Sequence, residues 1–273
     1  MKAVIEMLSY PFLVRAFIAG ILISLCAALL GVSLVLRRCS MIGDGLSHVG
    51  FGALAVATAC SAAPLAVSIP VVILAAFILL RISESKKISG DSAVALISTG
   101  SLAVGVMALS LSSGSNIDVS SYMFGSILAM SSSDLILSII LSVIVLTVYF
   151  FFYSHIFAVT FDESFAHATG IRTGICNTAI ALLTALTIVV GMRLMGALLI
   201  SALIIFPSLT SMRVFRSFRS VVISSAVTAV VSFIAGMTVS YVSETPAGAS
   251  IVCCDILLFA LFAAVGKLRS LGK

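Results

Sequence analysis

The chain has 273 residues, of which 61% are apolar and only 9% charged, and its mean hydropathy is +1.30. A water-facing globular surface needs roughly 25% charged residues, so lipid has to be the solvent for most of this chain and a soluble enzyme is excluded. The net charge of +5 sits mainly in short loops, which suits anchoring at a cytoplasmic membrane face and not nucleic-acid binding.

Residues 16–36 carry no charge and are long enough to cross a hydrocarbon layer of about 30 Å. Arg37-Arg38 closes this run on the cytoplasmic side. A second span is expected over 41–62 and a third from the Ala63-Pro64 turn to 80, with Pro70 bending it. Arg81, Lys86 and Lys87 mark the next inner loop, and 92–111 is the fourth span. The apolar stretch near 119–131 is too short to cross and reads as a re-entrant or interfacial helix. A fifth crossing covers 135–152.

The polar insert 155–173 follows, its centre reading as a short amphipathic helix near 160–172 that Gly170 closes. Spans at 174–192 and 194–212 meet at Arg193 on the outer side. Arg213, Arg216 and Arg219 form another inner loop. Residues 221–241 cross outward, and a last span returns to Lys267 and Arg269. The fold expected is an all-α polytopic membrane bundle of about eight or nine transmembrane helices, one domain over 1–273, with the amino terminus outside. Six cysteines show no paired C-x-x-C spacing and read as small hydrophobes.

One stretch departs from this apolar pattern. Behind Arg37-Arg38, Asp44 and His48 stand four residues apart in the second span, one helical turn apart and on one face. Ionisable groups inside a membrane are costly enough to signal function. If the helix starts near Ser40, His48 lies ten residues past Arg38, about 15 Å in. A carboxylate and an imidazole suit Zn²⁺ or Mn²⁺, and two ligands make the loose site that a conduit needs. In the alternative, Asp44 caps the helix and His48 bonds a neighbouring helix. Met192, Met195 and Met212 read as packing residues. Asp255 stands near the start of the last span, where it could face an outer aqueous vestibule.

No phosphate-binding loop, H-E-x-x-H helix or G-x-S-x-G elbow is present. If transport is ATP-driven, a second polypeptide has to hydrolyse the nucleotide. The helix between Asp162 and Arg172 is either its docking surface or a solvated loop.

Arg37-Arg38-x-Ser40-x-x-Gly43-Asp44-x-x-Ser47-His48 resembles a motif of the permease subunits of zinc/manganese ABC importers. The run 185–200, continuing into Leu203-Ile204-Ile205-Phe206-Pro207, is similar to that family's second signature. Ser115-Asn116-Ile117, Tyr122-x-Phe124-Gly125 and Thr245-Pro246-Ala247-Gly248 are similar to its zinc-uptake members. Phe206-Pro207-Ser208-Leu209-Thr210 departs from the family's Pro-Ala-Ala-Thr-Ala-like run.

The resemblance implies a homodimer in a bacterial inner membrane, with ABC ATPase subunits docked below and an extracytoplasmic metal-binding protein delivering ions. It implies that Asp44 and His48 contact the transported Zn²⁺ (or Mn²⁺ or Fe²⁺), that no cofactor is held by this chain, and that ATP is used by the partner. Asp162, Glu163, Phe165 and Gly170 fall in the coupling segment that meets the ATPase. Two other readings stay open: an ABC permease of the siderophore or vitamin type, and an intramembrane enzyme using Asp44 and His48 as acid and base.

Overall fold

The computed structural model describes residues 10–83, 90–112, 125 and 131–271, and those residues form helices and short connections without a strand. In chain order the helices are α1 (Pro11–Leu36), α2 (Met41–Ala59), α3 (Pro64–Ser83), α4 (Gly90–Leu111), α5 (Ser132–Phe151), α6 (Tyr153–Phe161), α7 (Glu163–Ala168), α8 (Thr173–Met195), α9 (Ala197–Met212), α10 (Phe218–Ser243) and α11 (Ala247–Leu271).

Local chemistry sets several of these boundaries. Pro11 opens α1 and Pro64 opens α3, positions where a missing N–H costs nothing. Ser131 and Asp134 form a reciprocal capping box on α5, and Ser217 caps α10 through the Ser220 amide. Gly196, at φ 90°, separates α8 from α9, a conformation that an L side chain resists.

Among the described residues, seven helices are long and apolar enough to cross a membrane: α1, α3, α4, α5, α8, α10 and α11. The expected eight or nine spans included two more, and both differ for a physical reason. Helix α9 has 16 residues, about 24 Å of rise, short of a full hydrocarbon layer. Helix α2 has 19 residues, but Asp44, His48 and four glycines dilute its apolar character. Both are enclosed by other helices, so neither needs a lipid-compatible surface all round. The helix anticipated near 119–131 lies outside the described residues apart from Gly125 and Ser131.

Helix α1 runs through the middle and packs on α9, α10, α5 and α8. On one side α2 is held by α4, α3, α8 and α9; on the other, α10 and α11 pair and cover α9. Hydrocarbon offers no water to expel, so close backbone approach and dispersion must hold such helices together. Two contacts show this. A Cβ on Gly31 of α1 would fall 2.0 Å from the Ile204 carbonyl oxygen of α9, and one on Gly52 of α2 would fall 2.4 Å from the Ser101 carbonyl oxygen of α4. Leu96, Ile136 and Leu257, on α4, α5 and α11, point outward as lipid-facing side chains.

The two ends of the bundle carry different chemistry. At the arginine-rich end, Arg37 pairs with Glu163 at 3.1 Å, and Phe218 packs on Phe157 and Phe161 of α6. At the opposite end, Arg193 pairs with Asp134 at 3.2 Å and Arg15 donates to Ser132 Oγ at 3.1 Å. The start of α1 therefore lies opposite the arginine loops, as the expected topology requires. Gly125, at φ +74°, sits against this end, where a Cβ would fall 2.2 Å from the Met195 carbonyl carbon. The polar insert yields two helices where one was anticipated. Phe152 leaves helical geometry (φ −100°, ψ 15°) and ends α5, and the aromatic face of α6 then packs on Phe218.

Candidate metal pathway on the second helix

The turn into α2 is tight. Arg37 caps α1 with its amide on the Ser33 carbonyl at 3.2 Å, and the Cys39 amide returns to the Leu34 carbonyl at 2.9 Å. Arg38 between them is left-handed, at φ 59°, a conformation that costs a non-glycine residue about 1 kcal/mol or more. Helix α2 thus begins at Met41 with Ser40 as its N-cap, at the start expected near Ser40. His48, seven residues on, lies about 10 Å along the helix, shallower than the sequence estimate, because the corner contributes no rise.

Along the first half of α2, Ile42, Gly43, Gly45, Leu46, Ser47, Val49 and Gly50 are buried. Met41, Asp44 and His48 form the stripe that is not. The His48 and Asp44 side chains are 26% and 40% exposed, and His48 Nε2 stands 3.7 Å from Asp44 Oδ2. That separation is too long for a hydrogen bond. It is close to the edge of a tetrahedron with metal–ligand bonds of about 2.1 Å, roughly 3.4 Å. One cation could therefore touch both atoms after small side-chain rotations.

The remaining neighbours fix α2 and do not add ligands. Ser47 Oγ donates to the Asp44 carbonyl at 2.7 Å and meets Ser201 Oγ of α9 at 2.9 Å, and Ser201 Oγ donates to the Ala197 carbonyl at 2.9 Å. This buried hydroxyl pair sets the rotation of α2 against α9. Ser201→Ala leaves Ser47 its own-helix acceptor, so a loss of about 0.6 kcal/mol in stability and uptake within about twofold of wild type are expected in thermal-denaturation and uptake assays. Met192 and Met195 are buried packing residues, with Met192 filling the space beside Gly50. Met212 is half-buried beside the aromatic cluster at the arginine end. Among the described residues, no group of three or more His, Cys, Asp or Glu side chains converges on one point.

Asp255 does not face an aqueous vestibule. It is 2% exposed, packed inside the bundle on α11, and among the described residues its Oδ2 has no hydrogen-bond partner. The periodicity of the last span could not show this, because its surroundings come from α9 and α10.

The second candidate region divides in two. Asp162 caps α7 by accepting from the Phe165 amide at 2.9 Å. Phe165 is 65% exposed, and Gly170, at φ +86°, has open space around it. Glu163, its side chain 42% exposed, bonds back to the bundle. Its Oε2 accepts from Arg37 Nη2 at 3.1 Å and its Oε1 accepts from Asn177 Nδ2 at 2.6 Å. Asn177 Oδ1 accepts from Arg37 Nη1 at 2.7 Å, closing a three-residue ring. Sequence reasoning missed Asn177. The one available signal was a lone amide in the first turn of an apolar span.

The serines after Pro207 explain the departure noted there. Ser208 and Ser225 are both buried, and both hydroxyls reach the Ala28 carbonyl at 3.5 Å. They bridge α9, α10 and α1 where the family's run carries small apolar residues.

A multi-pass bundle that keeps a polar, glycine-rich helix inside, with one arginine-marked end, is the architecture of a membrane transport subunit. Residues 9–266 match the ABC 3 transport family, and the chain belongs to it. It is a multi-pass inner-membrane permease of the metal-transport type. It is 31% identical over 252 residues to the high-affinity zinc uptake system membrane protein ZnuB of Haemophilus influenzae, covering 92% of this chain and 97% of that protein. It is 28% identical over 256 residues to the manganese transport system membrane protein MntC of Halalkalibacterium halodurans, covering 94% and 88%. Among solved structures, PsaBC from Streptococcus pneumoniae in complex with Fab superposes with a TM-score of 0.85 at 25% identity, covering 98% of this chain and 99% of that one.

Proposed function

We propose that this chain is the permease of an ATP-driven importer that moves a divalent transition-metal ion into the cytoplasm, with Zn²⁺ as its first substrate and Mn²⁺ or Fe²⁺ as alternatives. The observation that carries the reading is the Asp44–His48 pair, 3.7 Å apart on the one unburied stripe of an otherwise enclosed helix. Two protein ligands hold an ion weakly enough to release it. Two copies meeting along this stripe would offer four ligands, which supports a homodimer. The 31% identity to a zinc uptake protein, beside 28% to a manganese one, is what supports naming zinc first.

An acid–base enzyme fits less well. Such a site needs a third group that orients the histidine, and the adjoining Ser47 hydroxyl is taken up by the Asp44 carbonyl and Ser201. The chain works as one permease domain and binds no cofactor of its own. A separate ABC ATPase subunit supplies the energy by docking at the arginine-rich end, where the Asp162–Gly170 segment presents Phe165 to it. An extracytoplasmic metal-binding protein delivers the ion at the other end. Accumulation of metal is the test, in cells carrying the complete transporter with zinc, manganese and iron limiting in turn. Zinc accumulation that depends on this chain is the result expected. Accumulation of none of the three would overturn the reading.

A further inference from the structure

We infer that Arg37, Asn177 and Glu163 form the joint that transmits movement of α7 to the metal-contacting helix, with Asn177 as its positioning residue. The inference rests on the ATPase-driven reading above and adds how the drive reaches Asp44 and His48.

The geometry is specific. Helix α7 has six residues, of which only Ala166 is buried. Its polar hold on the membrane body runs through Glu163, both of whose carboxylate oxygens are used. Asn177 is 2% exposed and is also used at both ends, accepting from Arg37 and donating to Glu163. An amide plays these two parts from two separate atoms, its oxygen accepting and its nitrogen donating. Aspartate would set a second carboxylate against Glu163, and leucine would leave Arg37 a single partner. The ring joins positions 126 and 140 residues apart in the chain.

What the ring grips matters more than its strength. Arg37 ends α1 and leads through left-handed Arg38 directly into α2. A cavity of about 30 Å³ adjoins the ring, and its walls include Arg37, Asn177, Ile42 and Leu46. Ile42 and Leu46 alternate with Asp44 and His48 along the same two turns of α2. Displacement of α7 therefore pulls on the corner that aims the metal-contacting pair, and the cavity leaves the corner room to move. A part-buried ring anchored on buried Asn177, with each member bonded to the other two, has discrete arrangements instead of yielding gradually.

The test uses the whole transporter in proteoliposomes: this chain, its ATPase and the metal-loaded delivery protein. Three quantities are measured: ATPase retained on purification, ATP hydrolysed, and Zn²⁺ (separately Mn²⁺) transported per ATP. For Asn177→Leu and Arg37→Glu, wild-type ATPase retention, hydrolysis within about twofold and at least a tenfold fall in metal per ATP are expected. The exchanged pair Arg37→Glu with Glu163→Arg should regain most of that loss, because the Asn177 amide can serve either polarity. Arg37→Lys, which keeps the charge and loses the two-point fork, guards against failure to fold and should show an intermediate ratio. An unchanged ratio in assembled Asn177→Leu and Arg37→Lys transporters overturns the joint, as does an exchanged pair that assembles without recovery. Failure of the unaltered chain to retain any ATPase would instead overturn the ATP-driven reading itself.

Discussion

His48→Ala is expected to abolish metal uptake while leaving the permease folded and assembled with its ATPase. The imidazole is one of two candidate ligands on the open stripe of α2. Removing it leaves Asp44 alone, and a single carboxylate offers neither the geometry nor the partial selectivity for transition metals that nitrogen supplies. Uptake of Zn²⁺ or Mn²⁺ into proteoliposomes should fall to background, a loss of about a hundredfold or more. The His48 side chain is 26% exposed, and among the described residues its Nε2 makes only the 3.7 Å contact with Asp44. Truncation should therefore shift stability by less than about 1 kcal/mol, read as an almost unchanged melting temperature in detergent. Wild-type uptake by this variant would remove the metal-contact role. A variant that melts far lower would show that His48 packs and does not carry ions.

Gly31→Val should have the opposite signature, losing fold and assembly together. The Cα of Gly31 lies against the backbone of α9, and even a methyl group would sit 2.0 Å from the Ile204 carbonyl oxygen. Because the obstacle is backbone, no rotamer change relieves it. Helices α1 and α9 must separate, and the buried contacts of Ala28 with Ser208 and Ser225 open with them. Overpacking of this kind costs about 1–3 kcal/mol where neighbours can adjust, and a backbone clash at the centre of the bundle belongs at or above the top of that range. Low yield and a melting temperature lowered by several degrees are expected, even though Gly31 touches neither candidate ligand. Normal yield and stability would mean that α1 and α9 are held less closely than this contact requires.

These two variants separate what is local from what is not. The spans, the arginine-marked end and the one-turn spacing of Asp44 and His48 follow from periodicity and charge, which act over neighbouring residues. The same reasoning found the insert around Asp162–Gly170, since a polar segment among minimal loops stands out in composition alone. It assigned Glu163 to the coupling segment with Phe165, and could not show that this half-exposed side chain also bonds residues 126 positions before it and 14 after it. It also placed Asp255 near water, where α10 and α9 enclose it.

The sequence by itself determined that this chain lives in lipid, which end carries the positive loops, and that a carboxylate and an imidazole share one face of one helix. Helical geometry and the cost of charge in hydrocarbon are enough for that. Only the tertiary structure decided that this face is the open stripe of α2, that α9 is a short inner helix, and that Arg37, Asn177 and Glu163 close into a ring. Those outcomes depend on which helices approach closely. In a bundle of uniformly apolar segments the choice falls to a few glycines and buried polar groups seeking partners, far apart in the chain, and no local pattern records the pairing.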